Sequence, residues 1–198
     1  MPTSPSSAAT PLKEAISRIV PLPRREDTLL RAALPGLAIA VLTVLFGFVM
    51  GGLFGLNEDL IKDRLTASAA AVTATAYQGD ATAAEPVIAK SWTYMQRAHL
   101  HGGAIGTAAI GMIVVLLLIG ATPSAVRGLS LALGLGGLGY SVFWMWAGFI
   151  APGLGSTGAA KESLRWLAMP SSGAVMLATA GVAFLCLRAA LPRSARSE

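Results

Sequence analysis

Charge is scarce in this chain: only 13% of its 198 residues are Asp, Glu, Lys or Arg, while 54% are hydrophobic. A soluble fold of this length needs far more charged side chains to cover its surface. With a mean hydropathy of +0.64, most of the chain has lipid as its solvent. Cysteine is confined to Cys186, which excludes an intrachain disulfide and any Cys-built zinc or iron–sulfur site. Its setting within an apolar run reads as a small buried side chain. Histidine is confined to His99 and His101.

Several function classes fall with these absences. Gly102-Gly103-Ala104-Ile105-Gly106 lacks the Lys-Ser/Thr ending of a phosphate loop and the preceding strand of a dinucleotide site. The formal charge of +5 comes from basic residues in tails and short loops, not from one aromatic-lined stripe. Nucleic acid is therefore not the expected partner, whereas anionic lipid headgroups are. No serine or cysteine nucleophile is grouped with the histidines, which disfavours an acid/base hydrolase.

What the chain has in quantity is apolar length. A bilayer core of roughly 30 Å asks for about 20 apolar residues per helix. Residues 32–56, 102–121, 128–154 and 166–187 each meet that length without a charge. The expected fold class is all-α: a polytopic membrane protein of four transmembrane helices with an outer helical hairpin. A soluble bundle would keep a charged face toward water, and a membrane barrel would alternate in segments of about ten residues.

The organisation follows from these spans. Residues 1–31 form an N-terminal tail, 32–187 the membrane domain, with the outer region 57–100 inside it, and 188–198 a C-terminal tail. The Pro/Ser/Ala-rich stretch 1–11 reads as disordered, and 13–20 as a short helix on the membrane surface. The basic residues ahead of span 1 imitate a secretory leader. The apolar run is too long for one and no small-residue cleavage site follows it, so it is expected to remain as a span. Pro35 is expected in the first turn of span 1, where its missing N–H costs little. Lys13, Arg18, Arg24, Arg25, Arg31, Arg127, Arg188, Arg193 and Arg196 fall on one side of this topology, nine basic residues against six on the other. Positive-inside bias then places both termini in the cytoplasm of a bacterial-type inner membrane, with Arg127 in the turn between spans 2 and 3.

In the outer region, Leu60, Ile61 and Leu65 recur at helical spacing. Gly79 and Asp80 interrupt the pattern and Glu85-Pro86 permits a restart, after which a helix from about Val87 runs through Trp92, Tyr94 and the histidines into span 2. Between spans 3 and 4, Ser156 or Thr157 can cap a short helix from about Ala159 that merges with span 4. Pro170 is expected to bend span 4 or shift its start. Gly47, Gly51 and Gly55 in span 1, with Gly102 and Gly106 in span 2, form stripes that let helices approach closely in lipid. Gly134, Gly136, Gly137 and Gly139 precede Tyr140, Phe143, Trp144 and Trp146. They suit close packing below an aromatic belt, or room for a flat lipid, quinone or porphyrin.

The segment WTYMQRAHLHGGAIG concentrates the chemistry. At about 100° per residue His99 shares a face with Gly102, Gly103 and Gly106, while His101 points about 200° away with Ala104, Ile105, Ala108 and Met112. Side chains two residues apart on an intact helix do not meet on one ion, so separate roles are expected. An imidazole here can ligate heme iron or a metal, relay a proton, or hydrogen-bond a neighbouring carbonyl. His99, His101, Arg97 and Trp92 are the candidate cofactor-binding residues, with heme b or a quinone as the group. Arg97, a turn before His101, suits a heme propionate or a lipid headgroup, and Trp92 and Tyr94 are interface anchors or walls of a site. Asn57, Glu58 and Asp59 end span 1 on the same side. One carboxylate there could orient an imidazole, which makes His99, His101 and Glu58 the candidate metal ligands, or all three could simply be solvated. A bis-histidine heme within one chain is disfavoured, leaving Met112, Met145 or Met169 as a second ligand, or a heme shared between subunits.

Arg97-Ala98-His99-Leu100-His101 resembles the Arg/Ala-His-x-His start of a helix in small membrane relatives of heme-copper oxidase subunit I, over about ten residues. The resemblance implies heme-associated membrane chemistry at these positions. The further histidines of a copper–heme centre are absent, so it does not imply oxygen reduction. The expected function is a non-catalytic integral membrane subunit that stabilises or connects a larger respiratory or metabolic complex, with other membrane subunits or copies of itself as partners. The alternatives are a redox protein binding heme b or quinone, and an oligomeric carrier or channel, for which midplane polar groups are lacking.

Overall fold

The computed structural model describes residues 25–191. The surface helix expected at 13–20, the disorder expected at 1–11 and the tail after 191 lie outside them. The described chain is all-α, in the order α1 (Arg25–Ala70), α2 (Thr73–Ala76), a 3-10 turn (Ala81–Ala84), α3 (Glu85–Leu118), α4 (Pro123–Ile150), a 3-10 turn (Pro152–Leu154), α5 (Thr157–Ser163) and α6 (Arg165–Ala190). Four of these, α1, α3, α4 and α6, are long and apolar enough to cross a bilayer. At 1.5 Å per residue α1 is about 70 Å long and α3 about 50 Å, so both run well past the hydrocarbon. Together they build the expected hairpin.

Helix starts follow the local chemistry. Pro86, Pro123 and Pro152 occupy first-turn positions, where no intrahelical N–H is required. Thr122 caps α4 by accepting from the Ala125 N–H at 3.4 Å, and Ser156 caps α5 through the Gly158 and Ala159 N–H groups.

Three expectations need correction. Pro35 lies inside α1, not in its first turn, because the helix already begins at Arg25. The carbonyl it leaves unpaired is that of exposed Arg31, which water or headgroups can satisfy. Arg127 belongs to α4, not to the turn before it. The helix after Ser156 does not merge with span 4: Leu164, at φ −105° and ψ 12°, separates α5 from α6. Pro170 leaves the start of α6 at Arg165 and sits inside that helix, opposite the exposed Trp166 carbonyl.

Packing is three helices plus one. α1, α3 and α4 contact one another extensively, while α6 leans mainly on α4. Accordingly only 11% of the membrane window of α6 is buried, against 39% for α4. Glycine sets each approach. A Cβ on Gly47 would stand 2.5 Å from the Gly103 nitrogen, and one on Gly36 2.3 Å from the Ser130 carbonyl carbon. Gly136 and Gly139 meet Ser171 of α6 in the same way. In lipid such contacts, not hydrophobicity, hold helices together. The glycines of span 3 therefore serve packing and leave no room beside them for a flat ligand.

Candidate functional site

Both histidines sit midway along α3, and the helix sends them to different neighbours. His99 faces α1. Its ring lies over Gly51, where a Cβ would come within 2.6 Å of Cε1 and 2.8 Å of Nδ1. Only a glycine leaves that space. Nδ1 is 2.7 Å from the Gly47 carbonyl oxygen. A carbonyl can only accept, so Nδ1 carries the proton and donates, and in the neutral ring Nε2 keeps the lone pair. Among the described residues no protein group hydrogen-bonds Nε2.

The half-buried His99 ring forms part of a groove of about 360 Å³ lined by Gly51, Phe54, Gly55, Glu58, Trp92, Gln96 and Leu100. Phe54 stands edge-on to Trp92 at 5.2 Å and to His99 at 6.5 Å between ring centres. Gly55 faces nothing within 4 Å, so the groove has bare backbone on one wall. At its rim α1 is interrupted at Asn57 (φ −134°, ψ 30°), and Glu58 pairs with Lys62, whose ammonium lies 5.4 Å from the centre of the Trp92 ring. The site is thus an oriented imidazole among aromatic and glycine surfaces, with charge confined to the rim.

His101 faces α4. It stacks on Tyr140 at 5.3 Å with 9° between the planes and meets Trp144 edge-on at 6.3 Å. Arg97 joins this second cluster, its guanidinium 5.0 Å from the Trp144 ring centre and 5.4 Å from that of Tyr94. Among the described residues no group accepts a hydrogen bond from the buried Trp144 indole N–H.

Of the sequence candidates, His99, Trp92 and Glu58 share the groove, whereas His101 and Arg97 stand on the other side of α3. Among the described residues no group of three or more His, Cys, Asp or Glu side chains could hold a metal ion. The combination of His99, His101 and Glu58 on one ion is therefore not assembled, because α3 remains helical through both histidines and divides them between α1 and α4. Phe54, Gln96 and Leu100 were not anticipated. Phe54 and Leu100 look like ordinary lipid-facing residues in sequence, although the spacing of Gln96 one turn before His99–Leu100 is a usable signal. The stack of His101 on Tyr140 has no sequence signal, since it depends on how α3 and α4 are registered.

Fold and site define a polytopic all-helical membrane protein. No family model, curated protein or solved structure matches the chain.

Proposed function

We propose that the protein is a non-catalytic integral membrane subunit that holds a flat ring ligand in the groove beside His99, with heme b the ligand its imidazole suits best. The orientation of His99 carries this reading. A ring fixed through Nδ1–H to a backbone carbonyl presents Nε2 as a donor of electrons, as histidine ligands of metals commonly do. The same tautomer accepts from a quinol hydroxyl but cannot donate to a quinone carbonyl until it is protonated, which ranks quinone second. Bare backbone at Gly55 and the edges of Phe54 and Trp92 suit a planar ring.

The weak burial of α6 supports a role beside other membrane chains or lipid. A carrier is less well supported. Among the described residues the buried hydroxyls of Thr43, Ser91, Ser130 and Ser141 all bond to carbonyls of their own helices, so none of the four offers a free polar group to a passing solute.

The test is an absorption spectrum of the full chain purified in mild detergent, before and after titration with hemin, for the natural sequence and for His99→Ala. A Soret band that is present or formed in the first and lost in the second is expected. Equal spectra in the two proteins would overturn the heme assignment, and a quinone found in the solvent extract would replace it.

A further inference from the structure

We propose a second site, independent of the His99 groove: Arg97 and Lys161 together bind the phosphate of an anionic lipid headgroup at the histidine-bearing face of the membrane. The two cations come from different elements, Arg97 from α3 and Lys161 from α5, yet both converge on one ring. The Arg97 guanidinium is 5.4 Å and the Lys161 ammonium 6.0 Å from the centre of Tyr94.

Their charges are otherwise uncompensated. Among the described residues the ion pairs are Lys62 with Glu58 and Arg165 with Glu162, and neither includes Arg97 or Lys161. The carboxylate next to Lys161 in sequence is thus already engaged by Arg165. Two like charges held over one ring repel each other, and an anion that reaches both offsets that cost. Aromatic rings fix the position of the cations: Tyr94 is only 2% exposed and stands edge-on to Trp144 at 4.8 Å, while the Arg97 guanidinium also lies over Trp144. Both cationic heads remain exposed. The guanidinium fork can grip the two non-bridging phosphate oxygens while the ammonium adds a point charge beside one of them.

The surroundings favour a lipid as the source of that phosphate. Trp166, 66% exposed and five residues after Lys161, follows the pattern of side chains that settle at the headgroup level. About one turn further along α6, exposed Met169 offers apolar surface to acyl chains. Headgroup phosphate and free phosphate share the same chemistry, and the acyl contacts separate them.

The full chain is placed in nanodiscs of phosphatidylcholine with a minor fraction of phosphatidylglycerol, released, and the lipid it retains is weighed by native mass spectrometry. Several-fold enrichment of phosphatidylglycerol is expected, reduced toward the bulk fraction in Arg97→Gln and in Lys161→Gln, restored in Arg97→Lys, and unchanged in Lys90→Gln, a cation outside the cluster. Displacement by millimolar inorganic phosphate would assign the site to phosphate alone. Absence of enrichment in the natural sequence, or equal loss in Lys90→Gln, would overturn the proposal. The first of these outcomes needs no variant to fold.

Discussion

At the scale of single residues, Gly47 and Gly51 show how one repeat can do two jobs. A side chain at Gly47 meets the backbone nitrogen of Gly103, which cannot move without parting α1 from α3. A side chain at Gly51 meets only the tip of the His99 ring, which can swing away. Gly47→Ala should therefore destabilise the fold by about 1–3 kcal/mol through overpacking, read as a lower melting temperature in detergent. Gly51→Ala should leave melting nearly unchanged while weakening hemin binding severalfold, because the displaced imidazole loses the Gly47 carbonyl. Equal melting shifts in the two variants would show that the His99 ring is as fixed as the backbone. The helical repeat of Gly47, Gly51 and Gly55 was legible in sequence. That its three members meet a backbone, the His99 ring and open space was not, since periodicity locates a face and says nothing of what stands opposite.

At the scale of elements, one buried hydrogen bond among the described residues ties the hairpin beyond Asn57 back to the bundle. The Tyr77 hydroxyl donates to the Pro152 carbonyl at 2.8 Å, joining the segment after α2 to the turn after α4. Tyr77 also packs with Ala69 and Ala84 in the small core of the hairpin. Tyr77→Phe keeps that packing and removes one of the two hydrogen bonds the Pro152 carbonyl accepts, the other coming from the Gly155 N–H at 3.3 Å, at a cost of about 0.5–1.5 kcal/mol. Faster amide exchange over 73–84 is expected, with exchange in α4 unaltered. Uniform acceleration throughout the chain would mean that hairpin and bundle open as one unit. The hairpin itself could be read from Gly79, Asp80 and Glu85-Pro86, all local punctuation. Its anchor could not, because Tyr77 and Pro152 are remote in sequence and neither lies in a recognisable pattern.

At the scale of the whole molecule, α6 is the loosely attached part. Its contact with α4 passes through Gly136, where an added side chain would meet the Ser171 carbonyl oxygen at 2.8 Å. Gly136→Leu should lift α6 from α4 and expose the connection 151–164 to protease, while the His99-dependent absorption survives because α1 and α3 are untouched. Loss of that absorption together with protection of the connection would show that α6 supports the groove. Four apolar runs without charge foretold four crossings, but apolar length says nothing of which helices pack together. The arrangement is three mutually packed helices and one peripheral helix, which only the distribution of contacts among them reveals.

Composition and periodicity alone determined that this chain is an all-helical membrane protein, because lipid demands long uncharged helices and that demand is met residue by residue along the chain. They also separated His99 from His101, since a helix turns by a fixed angle per residue. The tertiary structure decided what each histidine faces: His99 a glycine-lined groove with its Nδ1 proton held by Gly47, His101 a tyrosine ring of α4. Those outcomes depend on the register between helices. Register is settled by close contacts between residues far apart in the chain, and no local pattern encodes it.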